Sequence, residues 1–318
     1  MSNLALPGVY VSEQKYVLNP LQIDTRCLSA FAGISEKGPV GKPILLKSFD
    51  EYLKIYGSFD TEGVLPLSVY SFFKCGGKEC IVTRVANIET AKEAGLELEC
   101  QKGVVKIQAL TPGTWGNYLC VKLWHEYETL ESKIKEISLD FSSITLDDAE
   151  NIYEGDVLNF NFPNGRIIDR QIVRIEKNVI YFAYPLKSLK KYIKETEKIK
   201  IRQVYFSMIV SNKDKKNETY LHLSMNKNNE RYFETYINNR SNNFRISREN
   251  AEGIIKPVFS QNARNGCDGV ANLQPADFIG TYKSLDECSG IGSFETRDDI
   301  SIISVPDLCW LLNQPGKT

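Results

Sequence analysis

VLPLSVYSFFKCGGKECIVTRV, residues 64–85, changes its period halfway. Residues 64–75 carry apolar side chains at helical spacing, and Gly76-Gly77 supply the stop. CIVTRV (80–85) is then a continuous run that suits a fully buried strand. Upstream, CLSAFAGI (27–34) reads the same way and is followed by the turn Glu36-Lys37-Gly38-Pro39. Leu45-Leu46 starts a short extended piece, and Ser48-Phe49-Asp50 leads into a helix, EYLKIYG, closed by Gly57. Strand, helix, helix and strand in this order predict an α/β layer over residues 23–86.

Beyond residue 86 the character shifts. GVVKIQAL, NYLCVKLW, ISLDFSSI, DVLNFNF, QIVRIEK, VIYFAYPL, IRQVYFSMIV and TYLHLSM are short runs rich in Val, Ile, Tyr and Phe, divided by polar turns. They predict a β-rich inserted domain over 87–254, with a small nested barrel-like unit at about 141–200. A helix is expected at Glu230–Asn239. From 255 to 318 the chain returns to the α/β layer, with Ile300, Ile302, Ile303 and Val305 forming a buried strand that Pro306 ends. The first 22 residues form an extended arm. Pro7-Gly8 gives a hinge, and Val9-Tyr10-Val11 a β-forming run that lies on its own subunit or adds a strand to another chain's sheet.

The totals bound the function. The chain has 318 residues, 42% of them hydrophobic, enough for two domains with real cores. Its net charge of −1 gives no global field for nucleic acid or an anionic membrane. The start, MSNLALPGVYVSEQK, lacks the basic and continuous apolar regions of a secretory signal. No segment approaches the roughly 20 apolar residues of a membrane span. Eight scattered cysteines without a C-x-x-C spacing predict reduced, mostly buried thiols in a cytosolic chain.

No motif assembles a catalytic centre. The terminal Gly316-Lys317-Thr318 is no phosphate loop, because the glycine required five residues earlier is Leu311 and no helix follows. His125 and His222 stand on strands and have no clustered ligands around them, so no metal site is expected. Cys75 and Cys80 flank Gly-Gly-Lys-Glu and read as structural thiols. Asp298 and Asp299 are adjacent before a strand, point to opposite faces, and suit a cap or turn. Lys187–Lys200 is basic with Tyr192 interleaved, yet Glu195 and Glu197 dilute it into a solvated face. The loop Thr111–Asn117 sets Pro112, Gly113, Gly116 and Asn117 around Trp115, a structural corner with neither nucleophile nor base.

Nine segments taken in order resemble the contractile tail sheath family of phage tails and phage-tail-like injection particles. They are LPGVYVSE (6–13), FAGISEKGPVGKP (31–43), SFDEYLKIYG (48–57), FFKCGGKECIVTRV (72–85), TPGTWGNYLCVKL (111–123), SMNKNNERYFETYINNRSNNFRI (224–246), NGCDG (265–269), ADFIG (276–280) and DDISIISVPDL (298–308). The resemblance implies a structural protein without catalysis or cofactor, whose arm at Pro7, Gly8, Val9, Tyr10 and Val11 links subunits. Its implied partners are other sheath subunits in helical or ring stacks, an inner tube protein, and baseplate and terminator or cap proteins. Neither nucleic acid binding nor membrane insertion is implied. The implied location is the cytoplasm during assembly and then a virion or released particle, with the insertion on the outer side.

In the family, the strand resembling DDISIISVPDL is followed by the rest of the α/β domain and a tube-facing domain that accepts arms. The present chain is expected to lack both, and therefore not to form sheath tubes alone. A truncated form, a degenerate gene product and a cap or baseplate paralogue all fit that expectation. Two other classes stand beside this reading: a surface module recognising a glycan or receptor, and an enzyme on the α/β frame using Asp298, Asp299 and a cysteine.

Overall fold

Strand β3 (Cys80–Arg84) is buried along its whole length, and the first sheet is built around it. The computed structural model of the protein describes residues 28–213, 217–271, 273–284 and 287–309. Strand β1 (Leu28–Gly33) lies parallel to β3, with Phe31 opposite Val82, and β2 (Ile44–Leu46) runs antiparallel on the far side. On the other flank of β1 the late strand β16 (Ile300–Ser304) pairs parallel, giving the order β16-β1-β3-β2.

Alternate residues feed two cores. Phe31, Cys80 and Val82 pack under α1 (Phe49–Tyr56) and α2 (Leu65–Lys74). Ala30, Ala32 and Ile81 face Phe278 of the short α4 (Pro275–Ile279) and Phe294. Burial on both faces is why these strands read as unbroken apolar runs. Helix α1 begins where Ser48 accepts from the Glu51 amide at 3.2 Å, and ends at Gly57, whose φ of 88° closes the last turn.

Strands β4 (Gly95–Glu99), β5 (Lys102–Ala109) and β14 (Phe244–Glu252) form an antiparallel sheet in the order β14-β5-β4. Among the described residues the largest sheet has nine strands. Its path begins with β15 (Val258–Asn262), β6 (Cys120–Thr129), β12 (Lys200–Ser211), β9 (Val157–Asn161) and β10 (Ile167–Glu176). It continues through β11 (Val179–Phe182), β8 (Ser143–Leu146) and β7 (Ile134–Ile137), with β13 (Asn217–Leu223) paired to β12 off this path. The inner faces of β4, β5 and β14 meet Val121, Phe206, Met208 and Leu223 across one core, closed by α3 (Phe233–Asn238).

Two expectations are corrected here. The architecture is mixed α/β dominated by large antiparallel sheets, rather than an α/β domain carrying a nested barrel; among the described residues no sheet closes. The residues expected to close the small unit do share one core, with Ile144, Phe160, Ile172, Ile180 and Ile201 in a single cluster. Strand β10 changes partner along its length: Ile167–Gln171 pair with β9 and Ile172–Glu176 with β11. Closure would require the β7 edge to find a strand at a matching stagger. That edge instead meets a 3-10 turn, Thr196–Lys198, through Thr196 Oγ1 donating to the Ile134 carbonyl at 3.2 Å. Leu186, Leu189 and Ile199 from the irregular chain complete that core.

The second correction is local. Ile302 and Ile303 of β16 were expected to be buried and are 58% and 47% exposed, while Ile300 and Val305 pack on the core beneath β1, so this edge strand is only partly covered. Helix α3 also starts later than the pattern suggests, because turns take up the residues before it. The Asn229 side chain accepts from the Arg231 amide at 2.8 Å, and the Tyr232 amide bonds the Asn229 carbonyl.

We propose a separable unit wider than 87–254. Backbone bonds continue past residue 254, from Arg264 to Gly95 and from Cys267 to Lys92. Residues 92–267 expressed alone should give a β-dominated circular dichroism spectrum and a cooperative melt. A helical or unfolded spectrum would reject that boundary.

Candidate functional site

Four loops converge beside the C-terminal end of β3. Arg84, the last residue of that strand, is 1% exposed and donates from Nη1 to the carbonyls of Gly38 (3.1 Å) and Pro112 (2.7 Å). Its Nη2 lies 3.8 Å from Asp268. Burial pulls the guanidinium down to about 10, against the pull of Asp268, so Arg84 is charged at neutral pH. Asp268 in turn accepts from the Thr114 amide (2.9 Å) and hydroxyl (2.7 Å). Asn117 exchanges two bonds with the Gly266 backbone, donating at 3.1 Å and accepting at 2.8 Å. The Gly38 amide donates to the Thr111 hydroxyl at 3.1 Å. Glu36 receives the amide and hydroxyl of Ser58, and the Lys37 amide bonds the Tyr56 carbonyl.

Three of the five predicted loop residues meet tight space. Gly113 holds a φ of 145°, a conformation open mainly to glycine. A Cβ on Gly116 would sit 2.8 Å from Ala94 and 2.9 Å from Ala109, so only glycine lets the turn lie on β5. Trp115 is buried in the insertion's core, with the Lys37 ammonium over its ring at 5.7 Å. Pro112 contributes its carbonyl to Arg84, and Asn117 binds the 265–269 loop. Pro7, Gly8, Val9, Tyr10 and Val11 lie outside the described residues.

A second anchor sits at the start of α2, beside the C-terminal end of β1. Asp307 is fully buried, and its carboxylate accepts from the amides of Ile34 (2.6 Å) and Val64 (2.5 Å), with the Leu65 amide also bonded. Val64 caps α2 without a side-chain bond, so Asp307 supplies the missing acceptor from 243 residues away. Burial raises its carboxyl above the ordinary carboxylate range, and the amides pull it partly back. Gly33 is the floor of this socket: a Cβ there would lie 2.3 Å from the Asp307 carboxylate.

The other candidates do not assemble. His125 bonds the Ile255 carbonyl at 2.7 Å. His222, on β13, stacks on Tyr205 at 3.9 Å with its two nitrogens 3.3 and 3.4 Å from Glu126 and Glu128. Among the described residues no group of three or more His, Cys, Asp or Glu could hold a metal ion. Cys75 is exposed while Cys80 is buried, its thiol pushed up to about 12, and the two are not bonded. Asp299 forms a two-point pair with Arg297 at 2.9 and 2.8 Å. A cleft of about 360 Å³ borders the junction, lined by Glu36, Asp60, Glu62, Thr114 and Asp268, but the Thr114 hydroxyl is already spent on Asp268. The loops tie the first sheet to the β14-β5-β4 sheet. Among the described residues no helix is long and apolar enough to cross a membrane.

No protein-family model and no curated protein matches the chain. Among solved structures it is distantly similar to the sheath tail protein of Desulfitobacterium hafniense, with a TM-score of 0.42 at 12% identity over 96% of this chain and 48% of that one. It is also similar to the sheath tail protein of Listeria innocua, with a TM-score of 0.22 at 10% identity over 49% and 33% of the two chains. The chain thus spans about half the length of the first protein and a third of the second.

Proposed function

We propose that this chain is a structural subunit, or a portion of one, of the contractile sheath of a phage tail or phage-tail-like injection particle. Copies would stack around an inner tube, bounded by baseplate and terminator proteins, and contraction would drive the tube into a target. The chain performs no chemistry in this reading; its work is mechanical repacking of compact bodies.

One observation carries the proposal. Six of the nine family-like segments supply the two anchors: Gly33–Gly38, Tyr56, Arg84, Thr111–Asn117, Gly266–Asp268 and Asp307. Residues spaced like this in sequence and spent on backbone carbonyls and amides serve rigidity, not turnover. A sheath subunit must rotate as a unit while its neighbours slide, and a cross-tied joint between sheet and insertion would transmit that load. The exposed Ile302 and Ile303 of β16 fit a surface that is covered on assembly.

Immunogold labelling with an antibody against the 92–267 unit tests this on contractile particles from the source organism. Gold should decorate the outer wall along the whole sheath length, in both extended and contracted particles. Label confined to one end would favour a cap or baseplate component, and unlabelled particles would reject the proposal.

A further inference from the structure

The segment 187–200 carries six lysines against two glutamates. It is held in one shape. Leu186 and Leu189 are fully buried in the core shared by β7 to β12, and Tyr192 tilts onto Phe162 at 5.4 Å. Successive turn bonds run from Leu189 to Leu186, Tyr192 to Leu189 and Glu195 to Tyr192. On this frame Lys187, Lys190, Lys191 and Lys194 are all exposed, and none has an ion-pair partner among the described residues. Lys198 is neutralised by Glu195 at 2.9 Å. In the same segment Ile193 is 55% exposed.

We propose that this shoulder is a docking surface for the anionic headgroups of a lipid bilayer. Four exposed, unpaired cations and one exposed aliphatic side chain on a single held segment match an interface that offers phosphate charge outside and apolar contact just beneath. The alternative polyanion, a single-stranded nucleic acid, is recognised by stacking on exposed aromatic faces. The one aromatic residue of the segment, Tyr192, has its ring packed inward on Phe162. Because the chain's net charge is −1, attraction comes from this patch alone and acts within a Debye length, about 8 Å at physiological salt. The contact is peripheral, and it does not depend on the sheath reading.

Co-sedimentation of the full chain with vesicles tests it. Vesicles of equal parts phosphatidylglycerol and phosphatidylcholine should bind the protein, pure phosphatidylcholine vesicles should not, and binding should fall as salt is raised. Each lysine removed should weaken binding roughly fivefold, so Lys190→Glu/Lys191→Glu/Lys194→Glu should cost on the order of a hundredfold or more. Ile193→Ser should weaken it severalfold without changing the salt dependence. Circular dichroism of each variant confirms that the fold is intact. No binding to the anionic vesicles, equal binding to neutral ones, or an unaffected triple variant would overturn the proposal. So would single-stranded DNA that binds as tightly with the same lysine dependence.

Discussion

Asp307→Ala should lower the unfolding free energy by about 3 kcal/mol, the net of stranding three amides, one of them part-exposed, and relieving one buried carboxylate. The side chain ties three places at once: the end of β1 through Ile34, the start of α2 through Val64 and Leu65, and its own segment after β16. Asp307→Asn keeps the shape but turns an NH₂ toward an amide donor, so about half the loss is expected. The pH dependence follows from the raised carboxyl. Asp307 is easier to protonate folded than unfolded, so the proton-linked part of its contribution is complete below the ordinary carboxylate range and lost as pH rises through its raised value. The gap between wild type and Asp307→Asn should therefore be widest in acid and narrow toward neutrality. Denaturant melts at a series of pH values measure it. An Asp307→Ala protein as stable as wild type would show that the socket amides find other acceptors.

That anchor was not legible in the sequence. Asp307 follows Pro306 and looks like an ordinary turn residue, and nothing local signals that its acceptors are needed by amides near residues 34 and 64. By contrast, β1, β3, α1 and α2 could be read directly, since their signals are local: apolar runs buried on both faces, the Ser48 cap, the Gly57 and Gly76-Gly77 stops. Strand identity was also readable across the insertion. Sheet closure was not, because it depends on the stagger between edges far apart in the chain and on β10 switching partners midway. The Thr111–Asn117 loop illustrates both halves. Its glycines mark a tight corner, yet the residues that make it a joint, Arg84 and Asp268, lie elsewhere in the chain and carry no distinguishing pattern. The exposure of β16 escaped for a related reason: an apolar strand is the same string of letters whether or not anything covers it.

The joint itself should fail most clearly through Arg84. A buried guanidinium can act by filling space or by holding what it touches, and two substitutions separate these roles. Arg84→Ala should cost about 3 kcal/mol, since it empties a packed site and leaves the carbonyls of Gly38 and Pro112 and the Asp268 carboxylate without their cation. Arg84→Met keeps most of the stem's packing and removes a charge that burial already disfavours, and such exchanges are often close to neutral for global stability. If Arg84 only filled space, the methionine protein would match wild type throughout. With Arg84 as the tie between loops, global stability should recover by roughly half in Arg84→Met, while amide exchange at Gly38, at Gly113 and at the Thr114 amide bonded to Asp268 stays fast. Trp115, whose indole lies under Lys37 at this joint, reports the same loosening through a red-shifted emission. Asp268→Asn should reproduce the faster exchange at Thr114, and combining it with Arg84→Met should add little, because both act on one tie. Slow wild-type exchange at these amides in Arg84→Met would mean that Asp268 and the 265–269 loop hold the joint without the arginine.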